Sequence, residues 1–176
     1  MSLLNSSHTP QLVTTDGEII PDGWTLLADE DESGLGMGGV DGPYVLGFDR
    51  ALKALDGLNG HYGVRVNPGD DVRLLLPFIE KITLIEVNFP GYRDGRGYST
   101  ARILREEGYT GTIRAVGDVL RDQLFLMLRC GFSEFLVKDK DPVQAIAAAK
   151  SRFSVFYQGA ADTNRPVWAL RHPAEG

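Results

Sequence analysis

Two clusters of charged and glycine residues carry the chain's candidate chemistry. Asp94-Gly95-Arg96-Gly97-Tyr98-Ser99 and Gly117-Asp118-Val119-Leu120-Arg121-Asp122 each follow a strand-like run and precede a helix. Gly95 and Gly97 would free backbone N–H groups to face a ligand, and Arg96 would add a fork of donors close to Ser99 at the helix start, a combination suited to phosphate, sulfate or a carboxylate. A structural role competes with this one. Asp94-Gly95 makes a turn, Ser99 or Gly97 caps the helix, and Arg96 pairs with Asp94 or Asp118. In the second cluster Asp118 reads as an N-cap. Arg121 and Asp122 stand in the first turn, where a cation opposes the helix dipole and calls for a carboxylate or anion partner. The spacing puts both clusters at one edge of a parallel sheet, so Arg96 and Arg121 are expected near a common point with Asp94 or Asp118 between them. Asp94, Asp118 and Asp122 lack a repeated ligand motif, and no metal is assigned.

Strand centres near Val64, Ile85, Ile113 and Leu136 lie 21, 28 and 23 residues apart, the length of a strand-helix-strand unit. The fold class expected is α/β: a parallel sheet of about four to five strands built from consecutive βα units, either a flavodoxin-like open sheet or a half-barrel. Helices are expected over 48–58, 70–79 with a kink or late start at Pro77, 98–107, 120–130, and from an Asp141 cap and Pro142 onward to Gln158. Residues 1–44 read as an irregular N-terminal segment with a hairpin within Leu12–Leu27 and an acidic, Gly-rich loop over Asp29–Gly42. Residues 45–158 form the single α/β domain, and 159–176 a polar tail. Leu120–Cys130 and Pro142–Gln158 carry an apolar surplus that points to a homodimer.

Composition narrows the function classes. The 176 residues carry a net charge of −6 with a pI near 5.0, which argues against a nucleic-acid surface. Arg93, Arg96, Arg102, Arg105, Arg114, Arg121 and Arg129 crowd 37 residues; most are expected on helix faces, paired with Glu80, Glu86, Glu106 and Glu107. Cys130 is the only cysteine, so the chain alone builds neither a disulfide framework nor an iron–sulfur centre, and a thiol at the end of an apolar helix reads as a buried hydrophobe. His8, His61 and His172 have no metal-ligand spacing. The N-terminus lacks a secretion signal and no apolar run reaches membrane-spanning length, giving a cytoplasmic expectation.

The segments FPGYRDGRGYSTARILR and RAVGDVLRDQLFLMLRCGFSEF resemble the signature of a bacterial family named domain of unknown function 934. The resemblance covers roughly residues 45–158, with Ser133 where an Asp is expected. Members are often labelled probable oxidoreductases because their genes sit beside those of sulfite or nitrite reductase and adenylylated-sulfate reductase, and no catalytic residues come with the family. Six-electron sulfite reduction needs siroheme and an iron–sulfur centre, for which one cysteine is too few. The strand-Gly-x-Gly-x-x-Gly-helix fingerprint of nicotinamide binding is lacking too, since no helix follows at once on the Gly34–Gly39 run. The resemblance therefore implies a non-redox accessory protein of assimilatory sulfite/sulfate reduction without a cofactor, binding sulfite reductase, another sulfur-assimilation enzyme or a small oxyanion. The alternatives are an enzyme acting on a small phosphorylated or sulfated substrate, a flavin-dependent oxidoreductase of sulfite reduction, and a structural dimer held by ion-pair struts.

Overall fold

A computed structural model describes residues 9–28, 43–57 and 60–152 of the chain. Its β-branched runs form strands β1 (Gln11–Thr14), β2 (Ile19–Ile20), β3 (Thr25–Leu26), β4 (Tyr44–Gly47), β5 (Tyr62–Val66), β6 (Ile82–Phe89), β7 (Thr112–Gly117) and β8 (Glu134–Val137). The helices are α1 (Phe48–Ala54), α2 (Arg96–Glu106), α3 (Leu124–Cys130) and α4 (Pro142–Ser151), with 3-10 segments over Val72–Lys81 and Arg121–Gln123. Asp141 caps α4 by accepting from the Gln144 amide, and Pro142 opens the helix without sacrificing a bonded N–H. Pro77 lies inside Val72–Lys81, where its missing N–H and ring bulk disfavour the i−4 bonding of an α-helix; the expected helix is a 3-10 segment capped by Asp71.

All eight strands make one sheet, in the order β2-β1-β8-β7-β6-β5-β4-β3. From β3 to β8 every pairing is parallel, whereas β1 joins β8 and β2 in antiparallel fashion. This corrects the expectation of four to five strands. Strands β3 to β8 also run in unbroken sequence order, unlike the reversed order of a flavodoxin-like sheet, so right-handed crossovers leave the helices on one face and the sheet curls as a half-barrel.

The curl follows from chain length. Strands β2 and β3 occupy opposite edges of the sheet, which in a flat sheet would lie about 34 Å apart. Yet only Pro21–Trp24 separates them, and Ile20 to Thr25 spans at most about 18 Å. The edges must therefore approach one another, with Pro21–Trp24 strapped across the concave side. Asp16-Gly17 makes the expected hairpin turn, with Gly17 at φ 84°. Pro21-Asp22-Gly23 instead carries the chain to the far edge.

Alternation along the strands separates two interiors. Ile85, Val87 and Phe89 of β6, Ile113 and Ala115 of β7, and Phe135 and Val137 of β8 join Ala101, Leu104, Leu124, Met127 and Ile146 of the helices in one buried core. The opposite residues of the same strands, among them Leu84, Glu86, Arg114 and Glu134, face the concave side. The expected order through Gln158, the Asp29–Gly42 loop and the 159–176 tail lie outside the described residues.

Candidate functional site

The C-terminal ends of β6 and β7 are tied together before either reaches its helix. Gly117 closes β7 at φ 92°, where a Cβ would stand 2.4 Å from the Phe89 carbonyl oxygen, so glycine alone fits. The next amide, Asp118 N–H, donates to that same oxygen at 2.7 Å. Asp118 then accepts from Tyr92 N–H at 3.0 Å, and the Gln123 Nε2 amide donates to Tyr92 O at 2.9 Å. Gln123 Oε1 also accepts from Leu120 N–H. Tyr92 is thereby gripped at both backbone groups while the residue is 52% exposed. Arg93 lies 5.2 Å from its ring and donates through Nε to the phenol oxygen; among the described residues no carboxylate pairs with it. A second knot closes beside it, where Asp94 accepts from Arg96 N, Nε and Nη2. The hydrogen-bonded Arg96 guanidinium holds the Asp94 carboxyl below its usual range.

One layer deeper, the concave face carries a ladder of alternating charge. Arg65, Glu86, Arg114 and Glu134 are register partners on β5, β6, β7 and β8. Arg65 Nη2 lies 2.7 Å from Glu86 Oε2, Arg114 Nη1 3.3 Å from Glu86 Oε1, and Arg114 Nη2 2.8 Å from Glu134 Oε2. Glu86 and Arg114 are buried, so each charge depends on its neighbours for solvation. Asp22 on the strap adds a carboxylate 2.9 Å from Arg114 Nη1. Trp24 covers Gly63, where a Cβ would come within 3.2 Å of the indole. Asn67 and Asn88, two residues beyond Arg65 and Glu86, are joined at 2.9 Å nearer the mouth.

A family model described as "Bacterial protein of unknown function (DUF934)" matches residues 63–168. The chain belongs to this family. No curated protein matches it. The DUF934 span begins inside β5 and takes in all four ladder rungs and both tied loops, while the strap and β1 to β4 precede it.

Within the DUF934 chain, the residues expected to form the site divide into separate groups. Asp94 and Arg96 pair with each other, and Asp118 reaches the same loop through Tyr92. Asp118 does not cap a helix: the segment opens as the 3-10 turn Arg121–Gln123, and its carboxylate is committed to Tyr92. Arg121 turns toward α4, donating to Gln144 Oε1 at 3.0 Å and lying 3.8 Å from Asp139. The common point expected for Arg96 and Arg121 is not formed by their contacts. Asp122 borders a cleft of about 260 Å³ shared with Arg121, Phe125, Ala145 and Arg152. Gly95 occupies the N-cap position of α2, and Ser99 is exposed in its first turn. Gly97 is buried, and a Cβ there would lie 2.5 Å from Phe89 Cζ, so its place is set by packing on β6.

Burial pushes the Cys130 thiol up, as expected of a half-buried hydrophobe. Arg102 pairs with Glu106 along α2, while Glu86 serves the ladder rather than a surface arginine. Among the described residues no three His, Cys, Asp or Glu side chains gather as a metal site, and no helix is long and apolar enough to cross a membrane. The ladder and the Tyr92-Arg93 knuckle were missed from sequence. The ladder had a signal: a single charge inside each apolar strand, in VRV, IEV, IRA and SEF. Tyr92-Arg93 had none, because its exposure depends on a grip supplied by a loop more than twenty residues away.

Proposed function

We propose that this protein is a non-redox accessory of assimilatory sulfite/sulfate reduction, binding a reductase partner or a small oxyanion without transferring electrons itself. The pathway comes from the family resemblance. The binding half rests on one observation: Tyr92 and Arg93 point outward from a loop whose backbone is already fixed by Asp118 and Gln123. Tyr and Arg are the side chains that most often dominate the energy of a protein interface. A loop ordered in advance loses little further conformational freedom on docking. Exposed Leu120 lies just across the Gln123 amide and extends the knuckle with apolar surface. The raised Cys130 thiol supports a role without thiol redox chemistry. Exposed Leu126 on α3 and Val143 on α4 support the homodimer reading by the same logic.

The test is genetic and biochemical together. Deleting the gene should impair growth on sulfate more than growth on cysteine, and the double substitution Tyr92→Ala/Arg93→Ala should reproduce the defect while the protein still folds. The purified protein should show no sulfite reductase activity. Normal growth of the deletion strain on sulfate, with no second copy of the gene, would remove the pathway assignment. Turnover of a phosphorylated or sulfated substrate, or a bound flavin, would favour an enzyme instead.

A further inference from the structure

We infer a second binding site, for a small oxyanion, at the mouth of the half-barrel on its concave face, formed by Arg65, Asn67 and Asn88. Ligands of parallel α/β barrels sit at the C-terminal ends of the strands. Arg65 is the fourth of five residues in β5, Asn67 follows that strand's last residue, and Asn88 is the next-to-last residue of β6.

The ladder is uneven in how its charges are met. Arg114 is enclosed by Glu86, Glu134 and the strap carboxylate of Asp22. Arg65, at the other end, has Glu86 alone, and Glu86 is shared with Arg114. Both Arg65 contacts, from Nε and Nη2, go to the single oxygen Glu86 Oε2. A guanidinium has five N–H donors, so Nη1 has no partner among the described residues, and the Arg65 side chain is 31% exposed. The Asn67–Asn88 bond uses Asn88 Nδ2 and Asn67 Oδ1. The Asn67 amide donors therefore remain unengaged among the described residues, on the same strand face as Arg65. An oxyanion resting on Arg65 Nη1 and Asn67 Nδ2 would stand to Arg65 as Asp22 stands to Arg114. The remaining guanidinium nitrogen, Nη1, and a neutral amide donor suit a group with two acceptor oxygens, such as sulfate, sulfite, phosphate or a carboxylate.

This site is distinct from the Tyr92-Arg93 knuckle, and the pathway proposal only suggests which anion to try first. Calorimetric titration of the full-length protein with sulfate, sulfite, inorganic phosphate and acetate should show saturable binding of at least one. Asn67→Asp keeps the acceptor that Asn88 uses but replaces the donors with a negative charge; it should weaken binding by about tenfold or more while leaving thermal stability nearly unchanged. Arg65→Gln should abolish binding, and Arg102→Ala, which removes only a surface pair with Glu106 on α2, should leave it intact. Absence of saturable binding by the wild type up to about 10 mM of every probe, or unchanged binding by Asn67→Asp, would overturn the site. Either result would leave the growth test of the accessory role unaffected.

Discussion

Replacing Gly97 with alanine tests whether this glycine serves packing or a ligand. The added Cβ would lie 2.5 Å from Phe89 Cζ, 2.7 Å from Phe89 Cε1 and 3.0 Å from Val87 Cγ1, roughly 1 Å inside ordinary carbon–carbon contact. The Phe89 ring cannot swing aside, because it is fully buried and faces Tyr98 at 5.5 Å and Phe132 at 5.9 Å between centroids. Overpacking of this kind costs about 1–3 kcal/mol. The better helix propensity of alanine returns at most about 1 kcal/mol, and less in a first turn. The net expectation is a loss of about 1–2 kcal/mol, or a Tm lower by about 2–8 °C for a chain of this size. Gly91→Ala is the control: nothing lies within 4 Å of its added Cβ, so its Tm should stay within about 2 °C. Thermal unfolding followed by circular dichroism gives both numbers. A Gly97→Ala protein as stable as the wild type would refute the packing argument and restore Gly97 to the ligand-facing role expected from sequence.

Arg114→Met should destabilise by about 3 kcal/mol or more, because Glu86 and Glu134 lose a buried counter-charge; a urea midpoint close to wild type would mean that the ladder is solvated in some other way. Cys130 should react with iodoacetamide at pH 8 more slowly than a free cysteine, and alkylation at the free-thiol rate would contradict its burial. Its pKa is raised in the folded state, so this contribution to stability is fully present below the pKa of the unfolded chain and declines as pH rises through the folded value.

The parallel strands were legible because each strand-helix pair repeats a local hydrophobic pattern. The centres near Val64, Ile85, Ile113 and Leu136 fall in β5 to β8, and Asp141-Pro142 and Gly131 mark helix ends through local chemistry. The edge strands were not legible. Two-residue strands such as Ile19–Ile20 and Thr25–Leu26 are too short to show a period, and β1 owes its place to pairing with β8 more than a hundred residues away. The site was half legible for the same reason. Asp94 and Arg96 sit two residues apart and find each other; whether Arg121 joined them depended on where α4 offered Gln144 and the turn before it Asp139, which no local signal specifies. Charge alternation across Arg65, Glu86, Arg114 and Glu134 becomes visible only once the strand register is known.

The pairing of β1 with β8 also sets a schedule for the chain during synthesis. Val13 must wait for Phe135, so among the described strands the earliest made meets its long-range partner only after the latest, β8, has been extended. Closing so long a loop costs entropy that local contacts cannot repay, and contacts this distant in sequence are the ones that slow folding. Until then β1 and β2 form at most an isolated hairpin, which is marginal in water, and β8 remains an open edge ready to pair with another chain. A version of this protein lacking its first twenty residues would carry that open edge permanently, so its failure would appear as aggregation on refolding before any loss of binding could be measured.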